Sequence, residues 1–440
     1  MRQYRIVDGL VFALLAMATS GCTETTPVEE VSVDASGVSV SGQLPKKLNS
    51  EWPAWRGPDN NGQVPDQPLL TEWNDSANVK WKADVPGRGH SSPVVVGGRV
   101  YLATALEAEQ QQQVLAFDSE TGQKIWSCTV HKGGFPPARD IHQKSTHANG
   151  TVACDGERIF SAFLNGGQIV ATAVDLDGNI DWQEDIGGFN SKFGYAPSPI
   201  IYRSVVIIAA DNRGTGYIAA LDRGTGKIAW RIARPAVSSY SSPTVANVGG
   251  RDQLLISGCD RVSSYDPATG EEIWSTSCLA EATCGTIVTT SDHILASGGY
   301  PERETVCLSA SGDELWSHPA ALYEPSMVIH DGLVFGVSDG GIALCWDIKS
   351  GQERWKTRPG GKFSASPIVC NGIVYVSDLS GSTHVFSATG EAFEKVATNK
   401  LGSDCYASPA VADSALYLRV GIGRGGSRRE HLVCLKDPDH

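Results

Sequence analysis

A chain of 440 residues that is 41% hydrophobic and carries 48 glycines is long enough to bury a large core. Its 36 Lys and Arg against 49 Asp and Glu leave a net charge of −13 without any basic block. That balance argues against nucleic acid or an anionic lipid surface as an electrostatic partner.

Taken from the N-terminus, residues 1–22 read as an export signal. Arg2 and Arg5 precede an apolar run, Gly9–Ala18, that is too short to span a bilayer. The run leads into Thr19-Ser20-Gly21-Cys22, small residues before a cysteine, which resembles a bacterial lipoprotein box with Cys22 as the lipid-attachment site. Thr19 stands where that pattern prefers Leu, so simple cleavage is the competing outcome. Residues 23–50 are rich in Val, Ser, Glu and Pro without a period and read as a flexible tether. Residues 51–440 form the folded domain.

Within that domain a tryptophan recurs at intervals of roughly 40–55 residues, the spacing of blades or solenoid turns. Each is four residues after a glycine: Gly122/Trp126, Gly178/Trp182, Gly226/Trp230, Gly270/Trp274, Gly312/Trp316 and Gly351/Trp355. The intervening residues form a D-x-x-T-G-like turn, clearest at Asp118–Gly122, Asp222–Gly226 and Asp266–Gly270. There Asp bonds its own backbone and Gly accepts a positive φ. Upstream of each turn stand alternating β-branched and aromatic hairpins such as Val95–Tyr101, Ala153–Phe160, Ile368–Tyr375 and Val411–Tyr417.

Eight short polar lead-ins precede these hairpins, and seven carry a ring at one equivalent position. The rings are His90, His147, Tyr195, Tyr240, Tyr323, Phe363 and Tyr406; the eighth lead-in begins at Thr283. The eighth repeat stops without a final strand, while Asn78–Lys82 has the character of one. An N-terminal strand completing the last blade would close the ring and remove exposed edges. The arithmetic favours an all-β, eight-bladed propeller of four-stranded antiparallel blades. Seven blades is the alternative, should the divergent Thr283–Trp316 region fall short of a blade.

Ten cysteines remain beyond Cys22. Cys307, Cys345 and Cys434 share a slot that Ala116, Ala220 and Ser264 fill in other repeats, which marks packed thiols in a small core position. Cys278 and Cys284 are the candidate local disulfide. The longest inter-blade segment, Ser127–His147, holds His131, Arg139, Asp140, His142 and His147, at spacings that match no compact metal motif. It reads as a partner-binding or face-capping loop, and no metal is expected. The Gly-rich Gly421–Arg429, with Arg424, Arg428 and Arg429, reads as a solvated insertion.

The repeat A-L-D-x-x-T-G-K-x-x-W, as in Ala220–Trp230, resembles the pyrroloquinoline-quinone-like, tryptophan-docking β-propeller repeat, from about Trp52 to the C-terminus. The opening Trp52-Pro53-Ala54-Trp55-Arg56-Gly57-Pro58 is similar to the W-x-x-W-R-G-P start of secreted members. The resemblance implies eight blades with Trp126, Trp182, Trp230, Trp274, Trp316 and Trp355 docked between neighbours. It also implies one of two kinds of function: quinone-dependent alcohol or glucose dehydrogenases, or non-enzymatic relatives such as the lipoprotein BamB, an outer-membrane assembly scaffold.

The dehydrogenase chemistry needs pyrroloquinoline quinone, a Ca²⁺ and a carboxylate base on the axis. Vicinal cysteines, which clamp the quinone in the alcohol-dehydrogenase branch, are absent from this sequence, and no Glu/Asn/Asp set carries over as calcium ligands. The reading is therefore a monomeric, exported, BamB-like scaffold without catalytic residues, held to the membrane by its lipid and engaging envelope proteins or peptides. A quinone-dependent dehydrogenase and a small-ligand sensor are the alternatives. For the sensor, the seven rings would form a collar at the tunnel mouth suited to a small aromatic, a sugar or a peptide. The competing and favoured role for those rings is packing beneath the adjacent blade.

Overall fold

The computed structural model describes residues 38–42, 51–320 and 322–437. The export signal, Cys22 and most of the tether lie outside the described residues. Eight separate four-stranded antiparallel sheets account for all the strands. Blade 1 covers residues 94–132, blade 2 153–188, blade 3 200–234 and blade 4 244–277. Blade 5 covers 288–318, blade 6 328–357, blade 7 368–400, and blade 8 combines 410–435 with Val79–Val85. The divergent region is thus a full blade, which removes the seven-blade alternative.

Closure follows the expected route. Val79–Val85 pairs antiparallel with Arg429–Leu435, with Trp81 opposite Cys434 and Val85 opposite Glu430. The small-residue slot also has a physical reason. Ala116, Ala220, Ser264, Cys307 and Cys345 each face a docking tryptophan across the ladder, and all are fully buried. A larger residue there would push the indole out of the inter-blade space. Cys278 and Cys284 are separate free thiols, both raised by burial, Cys278 to about 12.

Each docked indole lies on the turn of the following blade, not its own. Trp81 donates its indole N–H to Ser119 O at 2.9 Å, Trp126 to Leu176 O at 2.9 Å and Trp316 to Ile348 O at 2.8 Å. A Cβ added at Gly122, whose φ is +72°, would stand 2.5 Å from the Trp81 ring. The turn therefore needs glycine twice, for backbone conformation and for the face of the indole. The same approach recurs at the glycines that receive Trp126, Trp182, Trp230, Trp274 and Trp316.

The series breaks at blade 7, where Ala397 faces Val385 in the tryptophan position. Trp73, from the segment before the closing strand, is buried in the same core cluster as Ala397 and Leu416. Asn399 fixes it there, accepting the Trp73 backbone N–H at 3.0 Å and donating to Thr71 O at 2.8 Å. Part of the tether is also placed: Val38 and Val40 pack on the blade 3 core, and the Ser41 N–H reaches Ser204 Oγ at 3.2 Å.

Candidate functional site: an axial cavity closed by Trp55

The inner strands of the eight blades converge on an axis, and their lead-ins form one rim. At the start of each inner strand stands a hydroxyl residue whose oxygen accepts a backbone N–H from the blade before it. The chain of bonds runs from Ser92 N–H to Thr151, Thr151 to Ser198 and Ser198 to Ser242, at 2.9, 3.0 and 2.9 Å. It resumes from Thr286 N–H to Ser326, Ser366, Ser408 and back to the Ser92 hydroxyl, at 2.8–2.9 Å. One link is replaced. Thr286 Oγ1 takes the indole N–H of Trp55 at 2.8 Å, so the N-terminal tryptophan reaches the axis and interrupts the ring.

The segment carrying Trp55 crosses beneath the ring. Trp52 and Val95 exchange both backbone hydrogen bonds at 2.9 Å, and Pro53 O accepts the Cys154 N–H at 2.7 Å. Val64 and Gly62 then pair with Val369 on the other side. Arg56 anchors the crossing: the residue is 3% exposed, and its guanidinium donates to Asn61 O and Met327 O. Burial pulls its pKa down to about 9. Gly57 follows because a Cβ there would stand 2.7 Å from the Trp52 ring. The W-x-x-W-R-G-P motif is thus a plug, with Trp55 reaching the axial cavity and Trp52 buried in the core cluster shared by blades 1, 7 and 8.

Above the plug opens a cavity of about 490 Å³. Trp55 and the hydroxyls of Ser92, Thr151, Ser198, Ser242 and Ser408 line its depth. Of the seven rings, His90, Tyr240, Tyr323 and Tyr406 line it, while His147, Tyr195 and Phe363 do not. His90 stacks on Tyr406 with centroids 4.3 Å apart and planes 5° from parallel. Burial, then the nearby Arg419, holds the His90 imidazole well below its ordinary pKa, so it is neutral. The phenols of Tyr240 and Tyr323 are raised by burial and stay protonated.

The other three rings pack as wall. His147 stacks on Phe135 at 4.1 Å, the Tyr195 hydroxyl donates to Ala209 O at 3.0 Å, and Phe363 is fully buried edge-on to His384. A complete seven-ring collar is therefore corrected to a partial one, because a neighbouring loop or a strand further out in the blade captures each of these three.

At the mouth, sequence reasoning missed Lys192, Phe193 and Tyr300. The Lys192 ammonium sits 5.1 Å from the Phe193 centroid and 6.0 Å from that of Tyr300. Both rings are well exposed, at 39% and 57%. Neither lies in a repeat position, so periodicity carried no signal for them.

The long loop contributes His142, Lys144 and Ser145 to the cavity, which supports its face-capping role. Its histidines turn to aromatic neighbours: His131 stands edge-on to Phe163 and His142 to Phe193. No group of three or more His, Cys, Asp or Glu side chains suited to a metal occurs among the described residues. The Gly-rich insertion is less solvated than expected, since Arg428 forks onto Asp404 at 2.6 and 2.7 Å and also reaches Glu430.

Burial pulls the His131 pKa down to about 4, which has a measurable consequence. A group depressed in the folded state stabilises above its unfolded value near 6.5 and loses that contribution as pH falls. Replacing His131 by Phe should flatten the loss of unfolding free energy between pH 7 and 4.5 by about 1–2 kcal/mol. Identical pH slopes for the two proteins would contradict the assignment.

A calcium-bound quinone needs anionic ligands at the axis. Among the described residues, the one carboxylate lining the cavity is Glu324, whose oxygens take Lys144 at 2.8 Å and the Ser364 hydroxyl. The residues present do not fit that group.

Comparison with known proteins then decides the family. The protein-family model described as "Outer membrane protein assembly factor BamB" matches residues 57–192, 111–357 and 302–393 in overlapping stretches. The chain belongs to this family. BamB of Burkholderia pseudomallei is 24% identical over 375 residues, spanning 80% of this chain and 89% of that protein. The crystal structure of BamB from Moraxella catarrhalis superposes with a TM-score of 0.59 at 15% identity, covering 82% of this chain and 98% of that one. The quinohemoprotein alcohol dehydrogenase from Comamonas testosteroni gives 0.64 at 14% identity, covering 87% and 80%. At such identities the structural likenesses show the shared fold alone.

Proposed function

We propose that this chain is a non-catalytic, exported scaffold of the bacterial cell envelope, held to a membrane through a lipid on Cys22 and engaging protein partners in outer-membrane assembly. Family membership across residues 57–393 carries this reading, and the relatives matched over most of the chain are named as outer membrane protein assembly factors. The axial chemistry agrees with it. Among the described residues, the cavity's lone carboxylate is already paired, and neutral His90 is stacked against a tyrosine with no carboxylate partner to make it a base.

The test is crosslinking of the full-length protein in its native membranes, followed by identification of the crosslinked proteins. Recovery of outer-membrane assembly components from wild type, with Cys22→Ser moving the protein from the membrane to the soluble fraction, is the expected result. Calcium-dependent dye reduction on adding pyrroloquinoline quinone and an alcohol or sugar would overturn the scaffold reading. An unchanged membrane fraction for Cys22→Ser would overturn the lipid anchor.

A further inference from the structure

Part of the leader that precedes the blades is fastened to the propeller. Val38 and Val40 are half-buried and alternate with the exposed Ser39 and Ser41, the period of an extended strand. Both valines pack on the cluster shared by blades 3 and 4, which holds Tyr202 and Val205 from the first and Leu254 and Tyr265 from the second. The Ser41 N–H adds a bond to Ser204 Oγ at 3.2 Å. The segment thus clips into the seam between two blades.

Chain direction fixes the face on which it sits. In a four-stranded antiparallel blade the first and third turns share one end, and the second turn shares the other with the link to the next blade. In blade 1 the Ser119 N–H bonds Gly98 O, joining the first and third turns, while the Gly133 N–H bonds Gln110 O at the opposite end. Ser204 lies in the first turn of blade 3, where the Arg223 N–H of the third turn bonds its carbonyl at 2.9 Å. Glu51 is on the same face, its carboxylate accepting the N–H of Gly97 from the first turn of blade 1 at 2.7 Å. The cavity mouth is at the other end, among the inter-blade lead-ins and Tyr300 of the second turn of blade 5.

The clip shortens the leash. From Cys22 to Val38 the chain advances 16 residues and reaches at most about 55 Å; from Cys22 to Glu51 it advances 29 and reaches about 100 Å. To lay the cavity face on a bilayer, a clipped leader must cross the turn face and descend the outside of a blade. Three strand spacings and the length of one strand use about 40 Å of its reach before the loops of the cavity face are cleared. We propose that Val38–Ser41 is a clip that sets the domain with its turn face toward the membrane and its cavity mouth pointing away from the bilayer. This inference rests on the lipid at Cys22 proposed above. It assigns the two faces different surroundings, lipid for one and the aqueous side for the other.

The experiment uses full-length protein made with its own signal, extracted from membranes and reconstituted into phosphatidylcholine vesicles that carry an energy acceptor on a lipid headgroup. A fluorescent amino acid is placed at Gln123, in the third turn of blade 1, or at Glu109, in its second turn; both positions are exposed. Transfer to the lipid from position 123 should exceed that from position 109 by about 2-fold or more, since a blade's height separates them. In Val38→Asp with Val40→Asp the ratio should fall toward one as the leash lengthens to about 100 Å, whereas Val38→Ile with Val40→Ile should keep it. Amide exchange of residues 38–42 in solution, slow in wild type and fast in the Asp variant, reports the clip without a membrane. Vesicle flotation with equal transfer from the two positions, or more from 109, would overturn the orientation and leave the anchor standing. An unchanged ratio in the Asp variant, or fast exchange in wild type, would overturn the clip. A protein that fails to float would overturn the lipid anchor and the orientation with it.

Discussion

Trp81→Ala should cost about 3–5 kcal/mol of unfolding free energy in a urea titration, the range for removing a buried aromatic ring. The indole is 9% exposed, donates to Ser119 O and covers Gly122 of blade 1. It also sits on the strand that closes the ring, so its loss loosens a docking contact and a seam together. Trp81→Phe should recover part of the loss and leave the indole hydrogen bond unmade. Gly122→Val attacks the same contact from the other side, forcing a β-branched residue to a φ of +72° and a Cβ into the ring. An unfolding midpoint within error of wild type for both Trp81→Ala and Gly122→Val would mean that the closing blade contributes no stability. The account of inter-blade docking would then be wrong.

Asp211→Ala is expected to be comparably severe for an electrostatic reason. Arg234 is completely buried and bonds Asp211 through both arms of its guanidinium at 2.9 Å, with Ser263 and Tyr265 taking further donors. Burial opposes the charge on Arg234, but Asp211 holds the proton on. Removing the carboxylate strands that charge in the core, at a cost of about 3–5 kcal/mol. The double variant Asp211→Leu with Arg234→Met removes both charges and should stand within about 1–2 kcal/mol of wild type. If the single and double variants were equally unstable, packing and not charge would be the source of the loss.

The architecture was legible because each blade repeats the same physical demand. A turn needs an Asp and a Gly, an indole needs a small residue across the ladder, and an open β-array needs a strand to cover its last edge. Those demands fall at fixed intervals, so Gly122/Trp126, the Cys345 slot and the closing strand could all be placed from sequence. The site was legible only in part, because it is built from departures from the repeat. His147 and Phe363 occupy the same sequence position as Tyr240, yet one turns to Phe135 and the other to His384. Lys192, Phe193 and Tyr300 sit in connections with no periodic register.

The Trp55 plug lay in a motif whose role depends on where the segment crosses the ring, which spacing alone does not fix. One signal was available and unused. A serine or threonine recurs at the head of every inner strand, directly before proline at Ser92, Ser198, Ser242, Ser366 and Ser408. A hydroxyl kept at one position around a ring invites a hydrogen-bonded circuit.

The closing seam joins residues roughly 350 positions apart, Val79 to Leu435 and Val85 to Glu430. A chain synthesised N-terminus first therefore presents Val79–Val85 long before its partner strand is made. The edge must wait, unpaired, through the synthesis of seven blades. Lys80, Lys82 and Asp84 alternate with the buried Trp81 and Val85 along it, and charges on a waiting edge discourage pairing with a neighbouring chain. Pairing of such high contact order places ring closure late, after the last strand has been made. A nascent chain stalled before Arg429 would carry two unsatisfied edges, Val79–Val85 and Ala415–Ile422, and would be the form most exposed to proteolysis.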